Sequence, residues 1–134
     1  MTVRQIAGDE WRHVSIADSI VDDCRVSNKT KERGYVFPLY LTPGEARSIL
    51  GGNQELIPNL NTDIVDHLNE KAGNDLSPEE IFDYVYGVLH SKDYREKYKE
   101  FLKIDFPKVP YRKDAEQFRY FENIGRELRH LHLM

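Results

Sequence analysis

The hydrophobic pattern of the chain changes near residue 61. From there onward apolar residues recur at three- and four-residue steps, which predicts a series of amphipathic helices. The first 60 residues lack this period and contain short β-like pieces, such as WRHVSIA and GYVFPLYLT, between polar turns. The sequence therefore predicts an α+β fold, mostly α, with short strands in the N-terminal third followed by a bundle of about three to four helices.

The helical part carries recognisable start and stop signals. The stretch SPEE at residues 77–80 has the form of a capping box with proline in the first turn, which predicts a helix start. Asn61 or Thr62 is expected to cap an earlier helix that ends at Gly73, and Ser91 is expected to cap a third helix. A last helix is predicted over residues 113–132, after an extended segment that contains two prolines.

Most aromatic residues of the helical part fit its core, where each buried large side chain contributes roughly 1.5 to 3 kcal/mol. Ile64, Val65, Leu68 and Ala72 recur at helical spacing. The positions that we expect to face inward on the later helices are Ile81, Phe82, Val85, Val88 and Leu89; Tyr94, Tyr98, Phe101 and Leu102; and Phe118, Phe121, Ile124 or Gly125, Leu128 and Leu131.

Two features of the first 60 residues restrict local structure. Pro38 has no backbone N–H, so the strand around YVFPLYL is expected to lie at a sheet edge or to bend there. The stretch TPGEARSILGGN predicts a short helical turn from Pro43 that stops at Gly51 and Gly52.

The size of the chain limits its organisation. With 134 residues, 40% of them hydrophobic, it can form one modest core. We expect one compact domain, with residues 1–60 as a mixed strand and loop part and residues 61–134 as a helical part. The last helix runs to LRHLHLM without a stop signal, which predicts a fragment of a longer polypeptide. The absence of a long apolar run predicts a soluble, cytoplasmic chain without membrane contact.

Charge is unevenly distributed along the chain, although its net value is only −4. Residues 25–47 hold five basic and two acidic groups, and residues 48–90 hold one basic and eight acidic groups. Residues 91–134 hold eleven basic and eight acidic groups. Two basic stretches therefore flank an acidic one, which permits local contact with a polyanion; solvated helix faces explain the same counts equally well.

The stretch RVSNKTKERG combines cations with small hydrogen-bonding side chains in a predicted loop. Lys and Arg neutralise phosphates, and Asn and Arg hydrogen-bond to purine edges. A turn between strands accounts for the same composition. On the third predicted helix, Lys92, Arg95, Lys99 and Lys103 recur along one edge, where acidic neighbours permit ordinary pairing. The candidate nucleic-acid contacts are Arg25, Asn28, Lys29, Lys31 and Arg33, with Arg95 and Lys99 as weaker candidates.

Catalytic and metal-binding patterns are not apparent in the sequence. His130 and His132, two apart on a helix, diverge and make a poor metal pair. Neither GxxxxGK[ST] nor GxGxxG occurs, and the adjacent carboxylates fit a loop and a helix cap. We therefore predict no catalytic residue, no metal ligand and no cofactor in this chain. A small hydrolase with a carboxylate and a histidine is the weakest alternative.

Several stretches in order resemble one family. These are CRVSNKTKERGYVFPLYL, PNLN, PEEIFDYVYGVLHSKDYREKYKEFLKIDFPKVPY and GRELRHLHL. They are similar to the target-recognition region of large single-chain restriction-modification enzymes of type ISP. The resemblance spans nearly the whole chain, and its central block is long enough to be specific.

The resemblance implies a DNA sequence-recognition role. The parent polypeptides resemble a nuclease, a helicase-like motor and an N6-adenine methyltransferase, so S-adenosylmethionine, ATP and Mg are implied only for the parent enzyme. This chain lacks the NPPY methylation motif, and we expect it to contribute specificity rather than catalysis. The implied partners are double-stranded DNA and the methyltransferase and helicase domains. The alternative is a protein-docking helical module that packs on those domains without contacting DNA.

Overall fold

The computed structural model describes residues 1–3, 10–19, 21, 34–41, 56–111 and 114–134. Within these residues four two-residue strands lie in two small sheets, and helices make up most of the remainder, so the predicted α+β, mostly α class is confirmed. The elements in chain order are β1 Thr2–Val3, β2 Gly34–Tyr35, β3 Tyr40–Leu41, β4 Ile57–Pro58, α1 Thr62–Ala72, α2 Pro78–His90, α3 Lys92–Lys97, α4 Lys99–Leu102 and α5 Ala115–His132.

Both sheets are antiparallel pairs. Strand β1 pairs with β2 so that Thr2 faces Tyr35, and β3 pairs with β4 so that Leu41 faces Ile57. Pro38 lies between β2 and β3, where the chain leaves one sheet and enters the other, as expected for a residue without a backbone donor. In WRHVSIA the described ladder contact is a single bridge, between Val14 and Thr2. The helical turn predicted from Pro43 lies outside the described residues.

The helix signals in the sequence act as predicted. Asn61 caps α1 by accepting from the Ile64 amide at 3.2 Å, and Gly73 ends the helix with a φ of 71°. At the start of α2 the Ser77 hydroxyl accepts from the Glu80 amide at 3.2 Å. The Glu80 carboxylate accepts from the Ser77 amide at 2.8 Å, which completes the capping box. Asp114 caps α5.

The third predicted helix is divided at Tyr98. Its φ of −105° and ψ of 15° depart from helical values and separate α3 from α4. Tyrosine hydroxyls from α2 and α3 donate hydrogen bonds to the extended segment that follows α4. The Tyr84 hydroxyl donates to the Pro110 carbonyl at 2.7 Å, and the Tyr94 hydroxyl donates to the Lys108 carbonyl at 2.9 Å. These buried aromatic residues therefore also satisfy carbonyls of a segment without regular structure.

Helices α2 and α5 form the most extensive contact among the described elements. They meet at two glycines, because a Cβ on Gly125 would lie 1.7 Å from the Asp83 carbonyl oxygen and a Cβ on Gly87 would lie 2.1 Å from that of Phe121. Beside this crossing the Arg129 guanidinium binds the buried Asp83 carboxylate with two bonds of 2.6 and 2.8 Å. The two helices are thus joined by close backbone approach and by a bidentate ion pair.

One inward prediction on α5 is wrong. Leu131 is 61% exposed, whereas Glu122 is buried and contacts Arg119 at 3.4 Å and Arg126 at 3.3 Å. The spacing of apolar residues on α5 therefore does not by itself determine which side chains are buried. The buried cluster includes Val3 and Trp11 from the first part of the chain together with helical residues. No helix in the described ranges combines the length and apolarity that crossing a membrane requires.

Candidate nucleic-acid interface

A cavity of about 270 Å³ lies where α2 passes into α3. Ser91 ends α2 and caps α3, which turns the chain and brings the end of one helix beside the face of the next. Residues 10–12 close the cavity from the other side. We call it the basic pocket, and its lining residues are Glu10, Trp11, Arg12, His90, Lys92, Arg95, Glu96 and Lys99.

Arg95 is the cation that the fold holds most firmly in the basic pocket. Its Nε donates to the Leu89 carbonyl at 2.8 Å, and its guanidinium carbon lies 5.8 Å from the Trp11 ring centroid. The first contact satisfies a carbonyl in the last turn of α2, and the second is within cation–π range. Burial, and to a lesser degree the charge of Arg12, lowers the pKa of Arg95.

Two lysines lie exposed at the rim of the pocket. Among the described residues, no carboxylate forms an ion pair with Lys92, Lys99 or Arg95. Arg12 does pair with Glu10 at 2.6 Å. A hydrogen bond from Arg12, with smaller contributions from the charges of Lys99 and Lys92, lowers the pKa of Glu10.

His90 forms the inner edge of the pocket. Its Nδ1 lies 2.9 Å from the Tyr86 carbonyl oxygen, so Nδ1 carries the proton and donates. Burial lowers the pKa of His90, and the nearby charges of Arg95 and His132 act in the same direction. The Tyr86 hydroxyl in turn bonds to His132 Nδ1 at 2.7 Å. The described part of the chain contains no group of three side chains able to hold a metal ion.

The structure brings together only some of the residues predicted from sequence. Arg95 and Lys99 both line the basic pocket. Lys103, from the same predicted edge, is instead paired with Glu100 at 2.8 Å. The loop candidates lie outside the described residues; they are Arg25, Asn28, Lys29, Lys31 and Arg33.

Sequence reasoning missed the contribution of the first part of the chain to this pocket. Trp11 and Arg12 are adjacent in EWRH, and the pairing of an aromatic with a cation is the one signal that the sequence offered. That signal is weak, because the contact of Trp11 with Arg95 joins residues more than eighty positions apart.

A second cavity is apolar and lies between the small sheets and the helices. It encloses about 590 Å³, and its lining includes Phe37, Leu39, Phe82, Val85 and Phe106. The ring of Phe106 makes edge contacts with Tyr35 at 5.0 Å and with Phe37 at 5.7 Å between centroids. We call this cavity the apolar groove. Phe37 is 58% exposed, so the groove presents apolar surface to solvent.

Comparison with known families identifies the class of this chain. The model of the type ISP C-terminal specificity domain matches residues 1–134. The chain therefore belongs to this family of specificity domains, and the resemblance noted in the sequence is confirmed. A comparison with curated proteins gives no match.

A solved structure with a similar fold is that of DrdV in complex with DNA, obtained by cryo-electron microscopy. The two sequences are 35% identical over the aligned region, and the TM-score is 0.53. The alignment covers 60% of this chain and 8% of the DrdV chain. The matched region is thus only a small part of the DrdV chain.

Proposed function

We propose that this chain is a DNA sequence-recognition subdomain of a restriction-modification enzyme and is not itself catalytic. Membership in the specificity-domain family carries this proposal, and the similarity to DrdV solved with DNA supports it. We assign nuclease, motor and N6-adenine methyltransferase activities to the parent polypeptide. The cofactors S-adenosylmethionine, ATP and Mg belong to those activities and not to this chain. The partners of this chain are then double-stranded DNA and the methyltransferase and helicase domains.

Within this proposal the basic residues have two different roles. Lys29, Lys31 and Arg33 neutralise backbone phosphates, and Asn28 and Arg25 contact base edges in the major groove. Lys99 in the basic pocket adds a phosphate contact on the helical side. Phosphate contacts fix the register of the protein on DNA, whereas base contacts determine which sequence is bound.

Fluorescence anisotropy of a mixed-sequence duplex, titrated at several salt concentrations, tests the phosphate contacts. Each neutralised phosphate contributes about 0.9 to the slope of log K against log salt. We expect the Lys29/Lys31/Arg33 triple alanine variant to lose between about two and three from that slope. The matched control is a Lys71/Lys97/Lys108 triple alanine variant, which removes equal charge outside the proposed contacts. Equal slopes in the two variants would contradict the assignment of the loop.

Base reading by Asn28 is tested separately. If Asn28 hydrogen-bonds to a base, Asn28→Ala reduces discrimination at one position of the recognised site by about 1 to 3 kcal/mol. Lys29→Ala is the control, because loss of a phosphate contact weakens binding to all sequences alike. Selection of bound duplexes from a randomised pool measures both effects. An unchanged sequence preference in Asn28→Ala would remove its base-reading role.

The apolar groove favours a second candidate function, protein docking within the parent enzyme. Apolar surface exposed to solvent, such as that of Phe37 at the apolar groove, favours contact with another domain. The experiment adds the separately expressed methyltransferase or helicase domain and measures association by analytical ultracentrifugation. Association that Phe37→Ser abolishes, in a chain that binds no DNA at low salt, would favour docking over recognition.

A further inference from the structure

Arg95 is a half-buried cation whose charge has no anionic partner among the described residues. Charged side chains removed from water are normally paired, because an uncompensated charge loses hydration without gaining an ion pair. The contacts that Arg95 does make, to the Leu89 carbonyl and the Trp11 ring, fix its position but leave its charge unneutralised. The guanidinium of Arg95 is therefore held in place, and the described part of the chain supplies no counter-ion for it.

The position of Arg95 leaves the hydrogen-bonding end of its side chain available. Its Nε is engaged by Leu89, whereas no acceptor among the described residues engages either Nη group. A guanidinium presents parallel N–H groups that match the oxygens of a phosphate, and a fixed side chain loses little entropy on binding. The two Nη groups of Arg95 are therefore positioned to donate hydrogen bonds to a tetrahedral oxyanion such as phosphate.

The charge balance of the basic pocket is consistent with such a ligand. Arg12 and Glu10 neutralise one another, so that among the described lining residues the cations Lys92, Arg95 and Lys99 face one further carboxylate, that of Glu96. The pocket volume of about 270 Å³ lies just below the 300 to 1,000 Å³ that is typical of pockets for drug-sized ligands. Size and charge together favour a small anion.

We propose that the basic pocket binds one phosphate group, with Arg95 as the buried ligand and Lys92 and Lys99 as the ligands at the rim. The proposal rests on the proposed function for the source of that group, a phosphate of the DNA backbone. A free phosphate has the same chemistry, and the experiment below distinguishes the two sources.

Trp11 provides a local reporter of binding. It is the single tryptophan of the chain, it lines the pocket, and its buried indole N–H has no acceptor among the described residues. The ¹H–¹⁵N signal of that indole is followed while inorganic phosphate replaces chloride at constant ionic strength. A 12-base-pair duplex is then titrated in the same way. Constant ionic strength separates occupation of the pocket from general screening.

Two double variants, each of which removes two positive charges, show whether binding depends on the lysines of the basic pocket. Lys92→Ala/Lys99→Ala removes the rim ligands, both of them exposed, and is expected to weaken phosphate binding about tenfold, since each exposed ion pair is worth up to several-fold in affinity. Lys71→Ala/Lys97→Ala removes two exposed lysines that do not line the pocket and is expected to leave binding unchanged. Arg95→Met retains the packing of the side-chain stem and is expected to abolish the shift.

Each result of the titration decides between these assignments. A saturable indole shift with both phosphate and duplex supports the site and assigns it to the DNA backbone, provided that the shift is weakened in the Lys92/Lys99 variant, lost in Arg95→Met and unchanged in the Lys71/Lys97 variant. A shift with phosphate in a chain that binds no duplex by anisotropy supports the anion site, identifies free phosphate as its source and removes the proposed function. An unchanged indole signal in a chain that does bind duplex overturns the site and leaves DNA recognition intact.

Discussion

Arginines occur in two contrasting settings in this molecule. On α5, Arg129 binds Asp83 with two bonds, and Arg119 lies 2.6 Å from Glu80, so both guanidiniums are neutralised by carboxylates of α2. In the basic pocket, Arg95 is anchored by a carbonyl and an indole ring instead. The first setting joins two helices, whereas the second holds a positive charge at a surface. The two settings differ in whether a carboxylate pairs with the arginine. A paired arginine stabilises the fold, whereas the charge of Arg95 is available to a ligand.

The largest effect is expected from breaking the ion pair between α2 and α5. Arg129→Leu leaves the buried Asp83 carboxylate without a partner, which is expected to lower the free energy of unfolding by about 3 to 5 kcal/mol. Urea unfolding followed by circular dichroism measures this change. The control is the double variant Asp83→Leu/Arg129→Leu, which removes both charges and is expected to recover much of the loss. A loss below about 1 kcal/mol in the single variant would contradict a structural role for this pair.

Gly125→Ala tests the close crossing of the same helices. The added Cβ meets the backbone of Asp83, so the helices must separate, and we expect destabilisation at the upper end of the 1 to 3 kcal/mol that is typical of overpacking. Gly73→Ala is a matched control because its site is open and only its positive φ is strained, at a cost of roughly 1 to 2 kcal/mol. The crossing would be looser than described if Gly125→Ala proved the milder change in urea unfolding.

A pH titration tests the burial of His90 at the edge of the basic pocket. Burial lowers the pKa of His90 in the folded state, so the unfolded chain binds a proton more readily. The free energy of unfolding is therefore expected to decrease as the pH falls below about 7, through the ordinary histidine range near 6.5. Thermal unfolding at pH 7.5, 6.5 and 5.5 measures this dependence. His90→Gln is expected to show a shallower decrease than the parent; an identical pH profile would remove His90 as its source.

The smallest effect on stability is expected in the basic pocket itself. Lys92 and Lys99 make no ion pair with a described carboxylate, so replacing both with alanine is expected to change the free energy of unfolding by no more than about 0.5 kcal/mol. The same urea experiment that measures Arg129→Leu provides this value. A loss of 2 kcal/mol or more would show that the rim lysines stabilise the fold, and the contrast between the two settings would disappear.

Local signals explain why much of the helical part was predictable. Capping by Asn61 and Ser77 and the stop at Gly73 depend on residues within a few positions of one another, and all three are present in the structure. The inward position of Leu131 was wrong because the face of α5 that is covered depends on tertiary packing, which the spacing of apolar residues does not encode.

The candidate site was predictable only in part, for the same reason. Arg95 and Lys99 were identified from their spacing on a predicted helix. The contact of Arg95 with Trp11 and its hydrogen bond to Leu89 arise from tertiary packing, which a periodic pattern does not encode. The roles of Lys29 and the other loop candidates remain predictions, since those residues lie outside the described ranges.

The most direct test of the central claim is the salt dependence of DNA binding by the Lys92→Ala/Lys99→Ala variant, beside Lys71→Ala/Lys97→Ala. If the rim lysines contact backbone phosphates, the first variant loses about two from the slope of log K against log salt and the second keeps the parent slope. Equal slopes in the two variants, or no binding by the parent chain at low salt, would contradict the claim that this specificity domain contacts DNA through the basic pocket.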